Sequence, residues 1–176
     1  MTNDPSLTGL IGYRGSGKTT VGKLLADELH CRSVDIDQCI VSAAGKSIRE
    51  IFEEAGEPAF RDLETKCIGE AMRLQNAVVS FGGGALDREE NRKMMTAADC
   101  RLIYLRCEPA ELLRRIRSDP QTAVNRPNLT ALGGGIDEIQ AVLARREPVW
   151  RGMIVAEIDV TALSPVDVVK RCLESL

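Results

Sequence analysis

The sequence is poor in aromatic residues and histidine, and it has no apolar stretch near the ~18 residues of a membrane span. Phe, Trp and Tyr make up 3% of the 176 residues, so a core has to be built mainly from Leu, Ile, Val and Ala. His30 is the only histidine and no C-x-x-C pair occurs, which argues against a zinc site. Apolar residues at 44% and charged residues at 28% are ordinary for a globular protein.

A strong charge of either sign is also absent. The net charge is -3 and there is no long basic run, so binding to nucleic acid is not expected. The segment Met1–Leu7 has no basic region followed by an apolar one, so we expect no signal peptide. We expect the six scattered cysteines to be buried or half-buried free thiols. These features favour a cytoplasmic protein that binds no membrane, and we expect a monomer.

Strand-like and helix-like stretches alternate along the chain without an internal repeat. Strands are predicted at Leu7–Ile11, Ser33–Ile36, Ala77–Phe81, Leu102–Leu105 and Ile154–Val160. Helices are predicted at Thr19–Leu29, from a capping box at Ser47 and Glu50, at Pro58–Arg73, from Pro109, at Ile136–Val149 and at Pro165–Leu176. The alternation predicts a single α/β domain over residues 1–176, in which helices cover both faces of a parallel sheet.

The interval of about 118–135 interrupts this rhythm. It contains Pro120, Pro127 and the run Gly133-Gly134-Gly135. A long loop of this kind in a compact domain is usually either functional or disordered. We interpret it as a lid over a ligand.

The strongest motif is Gly12-Tyr13-Arg14-Gly15-Ser16-Gly17-Lys18-Thr19, which has the pattern G-x-x-x-x-G-K-[ST] between an apolar strand and an amphipathic helix. Glycines let the backbone turn so that its N–H groups face phosphates at a helix N-terminus. Lys18 would reach the β- and γ-phosphates of ATP, and the Thr19 hydroxyl would bind Mg²⁺. The predicted nucleotide site comprises Gly12, Gly15, Ser16, Gly17, Lys18, Thr19 and Thr20.

Other nucleotide-binding motifs are missing. The sequence has no N-K-x-D and no D-x-x-G, so a GTPase is not expected. The strand Ala77–Phe81 ends in Gly82-Gly83-Gly84 rather than in an acidic pair, and glycines there would let a second ligand approach the backbone. A small-molecule kinase fits these features best.

Two carboxylates follow the second predicted strand, at the edge where α/β proteins bind ligands. Strand alternation would point Asp35 and Asp37 in the same direction. One carboxylate could help to hold Mg²⁺ while the other orients an acceptor hydroxyl. The alternative is that one aspartate caps a helix and the other lies on the surface.

The segment Ser47–Glu64 resembles the shikimate kinase family, because it contains I-x-x-I-F, a G-E pair and F-R-x-x-E in order. The phosphate loop, the D-x-D, the triple glycine and Arg126-Pro127 extend the resemblance from about residue 7 to 148. It implies a three-layer α/β/α P-loop kinase with a five-stranded parallel sheet in the order 2-3-1-4-5. It also implies Mg²⁺-dependent transfer of the ATP γ-phosphate to the 3-hydroxyl of shikimate, which gives ADP and 3-phosphoshikimate on the route to chorismate and aromatic amino acids.

The resemblance also assigns an acceptor site. Part of it lies in a helical segment of about 36–64, and the rest comes from residues later in the chain. Arg61 and Arg146 match the arginines that hold the shikimate carboxylate, which suits the planar fork of a guanidinium. Asp37 matches the residue that engages the acceptor hydroxyl, and Asp35 the residue near Mg²⁺. The triple glycine Gly82, Gly83 and Gly84 matches the loop that binds substrate hydroxyls. Phe52 and Phe60 resemble apolar walls of this pocket, or they belong to the core.

On the nucleotide side, the resemblance makes Arg126 the lid arginine that closes over the phosphates. Arg117 is our choice for the arginine that stacks on adenine. The sequence departs from the family at Asn128 and at Val149-Trp150, close to these contacts.

Several alternatives stay open from the sequence. Arg61 and Glu64 could form a surface ion pair. Arg145 and Arg146 could be solvated helix charges, and Arg126 could be a loop charge. At the level of function, the acceptor could be gluconate or a nucleoside monophosphate. The second alternative is a regulatory protein that binds nucleotide without catalysis. Such a protein would be expected to have lost catalytic side chains, yet this sequence keeps Lys18, Thr19, Asp37, Arg61 and Arg126.

Overall fold

Five parallel strands form one sheet in the computed structural model, which describes residues 7–119 and 135–176. The strands are β1 (Leu7–Ile11), β2 (Arg32–Asp35), β3 (Ala77–Ser80), β4 (Arg101–Arg106) and β5 (Ile154–Asp159). Their order is β2-β3-β1-β4-β5, and every neighbouring pair is parallel. Both the fold class and the strand order expected from the sequence are confirmed.

Helices connect the strands and flank the sheet. In the described residues they are α1 (Lys18–Glu28), α2 (Ile36–Ala44), α3 (Ile48–Ala71), α4 (Glu89–Ala97), α5 (Pro109–Ser118), α6 (Ile136–Arg151) and α7 (Pro165–Ser175). The capping box that opens α3 is present, and Gly56, at φ 77°, breaks the helical geometry just before Pro58. Helix α4 was not predicted, because its segment EENRKMMTA is mostly polar and buries only Asn91 and Met95. No helix in the described part is both long and apolar enough to cross a bilayer.

The core lies around the three central strands. All residues of β1 and β3 are buried, as are the four inner residues of β4. The scarce aromatic side chains belong to this core, since five of the six are buried and Phe52 is half-buried against it. The rings of Tyr104 and Trp150 meet in an edge-to-face arrangement with 5.0 Å between centroids, so the core is less purely aliphatic than the composition indicated. The six cysteines are free thiols, three buried and three half-buried, as predicted.

The register of β1, β2 and β3 brings three chain segments to one edge of the sheet. Leu10 and Asp35 both pair with Ser80 of β3. Two residues beyond these aligned positions lie Gly12, Asp37 and Gly82. The phosphate loop, the D-x-D and the triple glycine therefore emerge at the same level of the same sheet edge, where α/β proteins bind ligands.

Gly22 in α1 tests how tightly this edge is packed, and Gly69 in α3 is the comparison. A Cβ at Gly22 would lie 2.5 Å from Ser80 Oγ, whose hydroxyl donates to the carbonyl of Lys18 at 3.0 Å. A Cβ at Gly69 would lie 3.4 Å from Met94 Sδ, which is an ordinary contact distance. We expect Gly22→Ala to lower the free energy of unfolding by about 1–3 kcal/mol, because α1 would be pushed off β3. Gly69→Ala should leave it unchanged or raise it by up to ~1 kcal/mol. Urea denaturation measures the free energy of unfolding of both variants. Equal values for Gly22→Ala and Gly69→Ala would contradict the tight packing of α1 on β3.

Candidate active site

The phosphate loop follows β1 and turns directly into α1. Gly17, the N-cap of α1, has φ 92°, a conformation that favours glycine. The Lys18 ammonium lies across the loop and donates hydrogen bonds to the carbonyls of Gly12 and Tyr13, both at 2.9 Å. A cation and a helix N-terminus thus meet at one place, which is a ready site for phosphate.

Asp35 ties this loop to the next strand. Its Oδ1 accepts from the backbone N–H groups of Asp37 and Gln38 at 3.0 and 3.3 Å and so caps α2. Its Oδ2 accepts from the Thr19 hydroxyl at 2.7 Å. The helix-cap interpretation was therefore correct for Asp35, but a second oxygen of the same carboxylate lies beside the phosphate loop. A hydroxyl and a carboxylate side by side are the hard oxygen donors that suit Mg²⁺.

The strand-alternation reasoning for Asp35 and Asp37 was wrong. β2 ends at Asp35, and Asp37 lies in the first turn of α2, so the period of two does not apply to them. The helical turn nevertheless brings both carboxylates into the wall of one cavity.

Two adjoining cavities open at this edge of the sheet. The larger has a volume of about 900 Å³, and its wall includes Gly15, Gly17, Lys18, Thr19, Thr20 and Asp35. The narrow one, of about 40 Å³, is lined by residues that include Arg61, Glu64, Gly82, Gly83, Gly84 and Arg146. Four residues line both cavities: Arg14, Asp37, Ile48 and Gly82. Gly12 and Ser16 are not part of either wall; a Cβ at Gly12 would meet Ser16 Oγ at 2.7 Å, so they pack on each other within the loop.

Arg61 lies in the wall of the narrow cavity and is held by two carboxylates. Its Nη1 donates to Glu64 at 2.7 Å, and its Nε and Nη2 donate to Glu57 at 3.2 and 3.1 Å. The predicted ion pair with Glu64 exists, but it is not a surface pair, because Glu64 is 1% exposed. Burial raises the pKa of the Glu64 carboxyl, and the Arg61 guanidinium opposes that rise. A Cβ at Gly84 would meet Arg61 Nη1 at 2.5 Å, so only glycine allows this approach.

The structure distinguishes the two adjacent arginines of α6. The Arg145 side chain is 68% exposed, whereas Arg146 is 4% exposed and lines the narrow cavity. Arg146 donates from Nε and Nη2 to Asp87 at 3.1 and 2.7 Å. Its Nη1 faces the triple-glycine turn, 3.4 Å from where a Cβ of Gly83 would stand.

Three carboxylates of this network were not predicted as site residues. Glu57 precedes Arg61 by four residues and Glu64 follows it by three, so helical spacing could have indicated both ion pairs. Asp87 lies 59 residues from Arg146, and no local pattern joins the two. The phenylalanines Phe52 and Phe60 stack with 4.8 Å between centroids and form an apolar wall of the same cavity.

The two remaining arginine predictions fared differently. Arg117 is exposed and does not line the larger cavity, whereas Arg115, two residues earlier on α5, does. Residues two apart on a helix point to nearly opposite sides, which explains the difference. Arg126 lies outside the described residues, as does most of the interval 118–135.

A phosphate loop on a 2-3-1-4-5 sheet, opening into a cavity that adjoins an arginine-lined pocket, defines a P-loop phosphotransferase for a small anionic acceptor. A family model described as shikimate kinase matches residues 14–176. A shikimate kinase of Rhodopirellula baltica is 41% identical over 162 residues, covering 90% of this chain and 86% of the relative. The chain belongs to the shikimate kinase family.

Solved structures agree with this membership. A shikimate kinase from Acinetobacter baumannii in complex with shikimate matches with a TM-score of 0.88 and 29% identity, covering 96% of this chain and 91% of that chain. A gluconokinase from Sinorhizobium meliloti matches with a TM-score of 0.65 and 20% identity, covering 98% of this chain and 91% of that chain. The second match extends to the fold alone.

Proposed function

We propose that this chain transfers the γ-phosphate of ATP to the 3-hydroxyl of shikimate and forms ADP and 3-phosphoshikimate, a step toward chorismate and the aromatic amino acids. The observation that carries the proposal is the shared wall between the phosphate-loop cavity and the cavity lined by Arg61 and Arg146. Two bound substrates would meet at that wall, and positioning of this kind supplies much of the catalysis of phosphoryl transfer.

On the nucleotide side, the loop from Gly12 to Thr20 would hold the phosphates, with its backbone N–H groups and Lys18 as donors. Thr19 and Asp35 would hold Mg²⁺, since their oxygens lie together at 2.7 Å. When bound, Mg²⁺ neutralises charge on the phosphate oxygens. In the described residues no cluster of three or more acidic, histidine or cysteine side chains forms a cage for a metal, which fits an ion held mainly by phosphates and water.

On the acceptor side, Arg61 and Arg146 would bind the carboxylate of shikimate. Each is already paired with protein carboxylates, which keeps the buried guanidinium groups fixed before the substrate arrives. Backbone groups of Gly82, Gly83 and Gly84 would bind substrate hydroxyls. Asp37 lies at the junction and would orient the attacking hydroxyl and accept its proton.

Further assignments complete the proposal. Residues 1–176 would act as one monomeric kinase domain in the cytoplasm, with 118–135 as the lid that excludes water. Arg126 would close over the phosphates. For the adenine side, the wall position of Arg115 makes it a better candidate than Arg117.

The decisive experiment is an ADP-release assay with a panel of acceptors. We expect ADP release from MgATP with shikimate, and at least about 100-fold less with gluconate, a nucleoside monophosphate or no acceptor, because a site built for one set of hydroxyls rejects others strongly. Omission of Mg²⁺ with excess chelator should abolish turnover. If the protein preferred gluconate or a nucleoside monophosphate, that compound rather than shikimate would be assigned as the acceptor. Nucleotide binding without turnover on any acceptor would favour the regulatory class.

Asp37→Asn tests the residue at the junction. The amide keeps the size of the side chain but cannot take up the hydroxyl proton, so we expect kcat to fall about 100-fold or more with little change in the KM for ATP. Asp62→Asn is the control, because the Asp62 side chain is 74% exposed and pairs at the surface with Arg88. Near-normal turnover of Asp37→Asn would contradict its role.

Arg61→Ala tests the carboxylate pocket. We expect the KM for shikimate to rise at least about 30-fold, because a charged hydrogen-bond donor is lost, while the Kd of ADP stays within about threefold. Arg49→Ala is a matched control on the same helix: Arg49 also pairs with a glutamate four residues away, Glu53, but its side chain is 57% exposed. Equal effects of the two variants on the KM for shikimate would exclude Arg61 from the acceptor site.

A further inference from the structure

Arg14 occupies a variable position of the phosphate loop, between Gly12 and Gly15, and has no role in the function proposed above. Its side chain is 10% exposed. It lines both cavities, and among the described residues only one other charged side chain, that of Asp37, does the same. Arg14 therefore lies at the place where the two substrates would meet.

The guanidinium of Arg14 has few hydrogen bonds for a buried group with five donor hydrogens. Its Nη2 donates to Glu138 Oε1 at 3.4 Å, a long contact for a charged pair. Its Nε is buried and has no hydrogen-bond partner within residues 7–119 and 135–176. Glu138, at the start of α6, is fully buried. By contrast, Arg61 and Arg146 each make three contacts of 3.2 Å or shorter to carboxylates.

A buried donor without an acceptor is costly, and an ordered water, an ion or a ligand can complete it. The ion pair with Glu138 compensates the charge of Arg14, but it uses only Nη2 and leaves Nε without an acceptor in the described part of the chain. Arg14 forms part of the walls of both cavities, so its remaining guanidinium donors lie near the boundary between them. The missing acceptor is thus expected to be an anion that passes through that boundary.

The other cations of the described site lie to either side of this boundary. Lys18 and Arg115 line only the larger cavity, and Arg61 and Arg146 line only the narrow one. A phosphoryl group in transfer carries negative charge on three equatorial oxygens midway between donor and acceptor. Arg14 is the described cation best placed for that charge.

We propose that Arg14 is a catalytic residue whose guanidinium contacts the γ-phosphoryl group during transfer, with Glu138 holding it in place. The proposal rests on the kinase function proposed above. The acceptor hydroxyl oxygen forms a bond to the γ-phosphorus while the bond from that phosphorus to the β,γ-bridging oxygen breaks. The bridging electron pair leaves with ADP, and the hydroxyl proton passes to the Asp37 carboxylate. Arg14 takes no proton and interacts most strongly with the equatorial oxygens as their charge is redistributed.

Kinetics of Arg14→Met and Glu138→Gln test this role in the full chain. Loss of a donor that acts mainly in the transition state should lower kcat of Arg14→Met about 100-fold, with KM for shikimate and ATP changed less than about threefold. Glu138→Gln keeps Arg14 and an oxygen to accept from it, so its kcat should fall less than about tenfold. If Arg14 served only to neutralise Glu138, both variants would lose stability while kcat stayed near normal, and the proposal would be overturned.

A second measurement separates the transition state from the ground state. Calorimetry would compare the binding of ADP alone with that of ADP, aluminium fluoride and shikimate in the presence of Mg²⁺. We expect Arg14→Met to weaken the fluoride complex more than about tenfold but ADP alone less than about threefold. Equal weakening of both would assign Arg14 to plain nucleotide binding and refute the proposal.

Two controls keep the outcome interpretable. If Arg14→Met does not fold, as judged by circular dichroism, Arg14→Gln removes the charge but keeps a polar end beside Glu138, and the same loss of kcat is expected. Wild-type protein without shikimate-dependent ADP release would contradict the proposed function itself. Active wild-type protein with unimpaired Arg14 variants would contradict only the role of Arg14.

Discussion

The parallel pairing of β3 with both β1 and β2 is the constraint on which the site depends. Ser80 is aligned with Leu10 on one side and Asp35 on the other. Because the three strands end at the same level, the segments that follow them have to turn in the same space. A shift of one residue in either register would separate the phosphate loop from the carboxylates or from the triple glycine, since side chains alternate between the two faces of a sheet. The geometry of the proposed site is thus a consequence of strand register.

Burial of charge is organised around the same edge. Arg61 and Arg146 lie in a narrow cavity, and each is compensated by carboxylates from Glu57 and Glu64 or from Asp87. Uncompensated guanidinium groups would be destabilising in such surroundings, and compensated ones are held in fixed orientations. Arg14 differs, because its contact to Glu138 is long and its Nε has no hydrogen-bond partner among the described residues. Under the proposed function, the fully paired arginines would anchor the acceptor, and the incompletely paired Arg14 would meet a charge that is redistributed during transfer.

Much of the fold could be predicted because its signals are local. The apolar strands, the capping box at Ser47 and the proline that opens α5 each depend on residues within a few positions of one another. The phosphate loop is contiguous, so its motif identifies the nucleotide cavity directly. Helix α4 escaped prediction because its segment is mostly polar and has few apolar residues to indicate a buried face. The strand end at Asp35 was misplaced by one residue, since the aspartate that ends β2 also caps α2.

The sequence by itself determined which chemical groups are available and in what order, from the phosphate loop through the D-x-D to the triple glycine, because these motifs are short and contiguous. Only the tertiary structure decided which charges meet. It selected Arg146 over Arg145, brought Arg115 rather than Arg117 to the larger cavity, and paired Asp87 with a residue 59 positions away. The physical reason is that helix rotation and strand register, both set by how apolar faces pack, determine where a side chain points, and no local pattern contains that information.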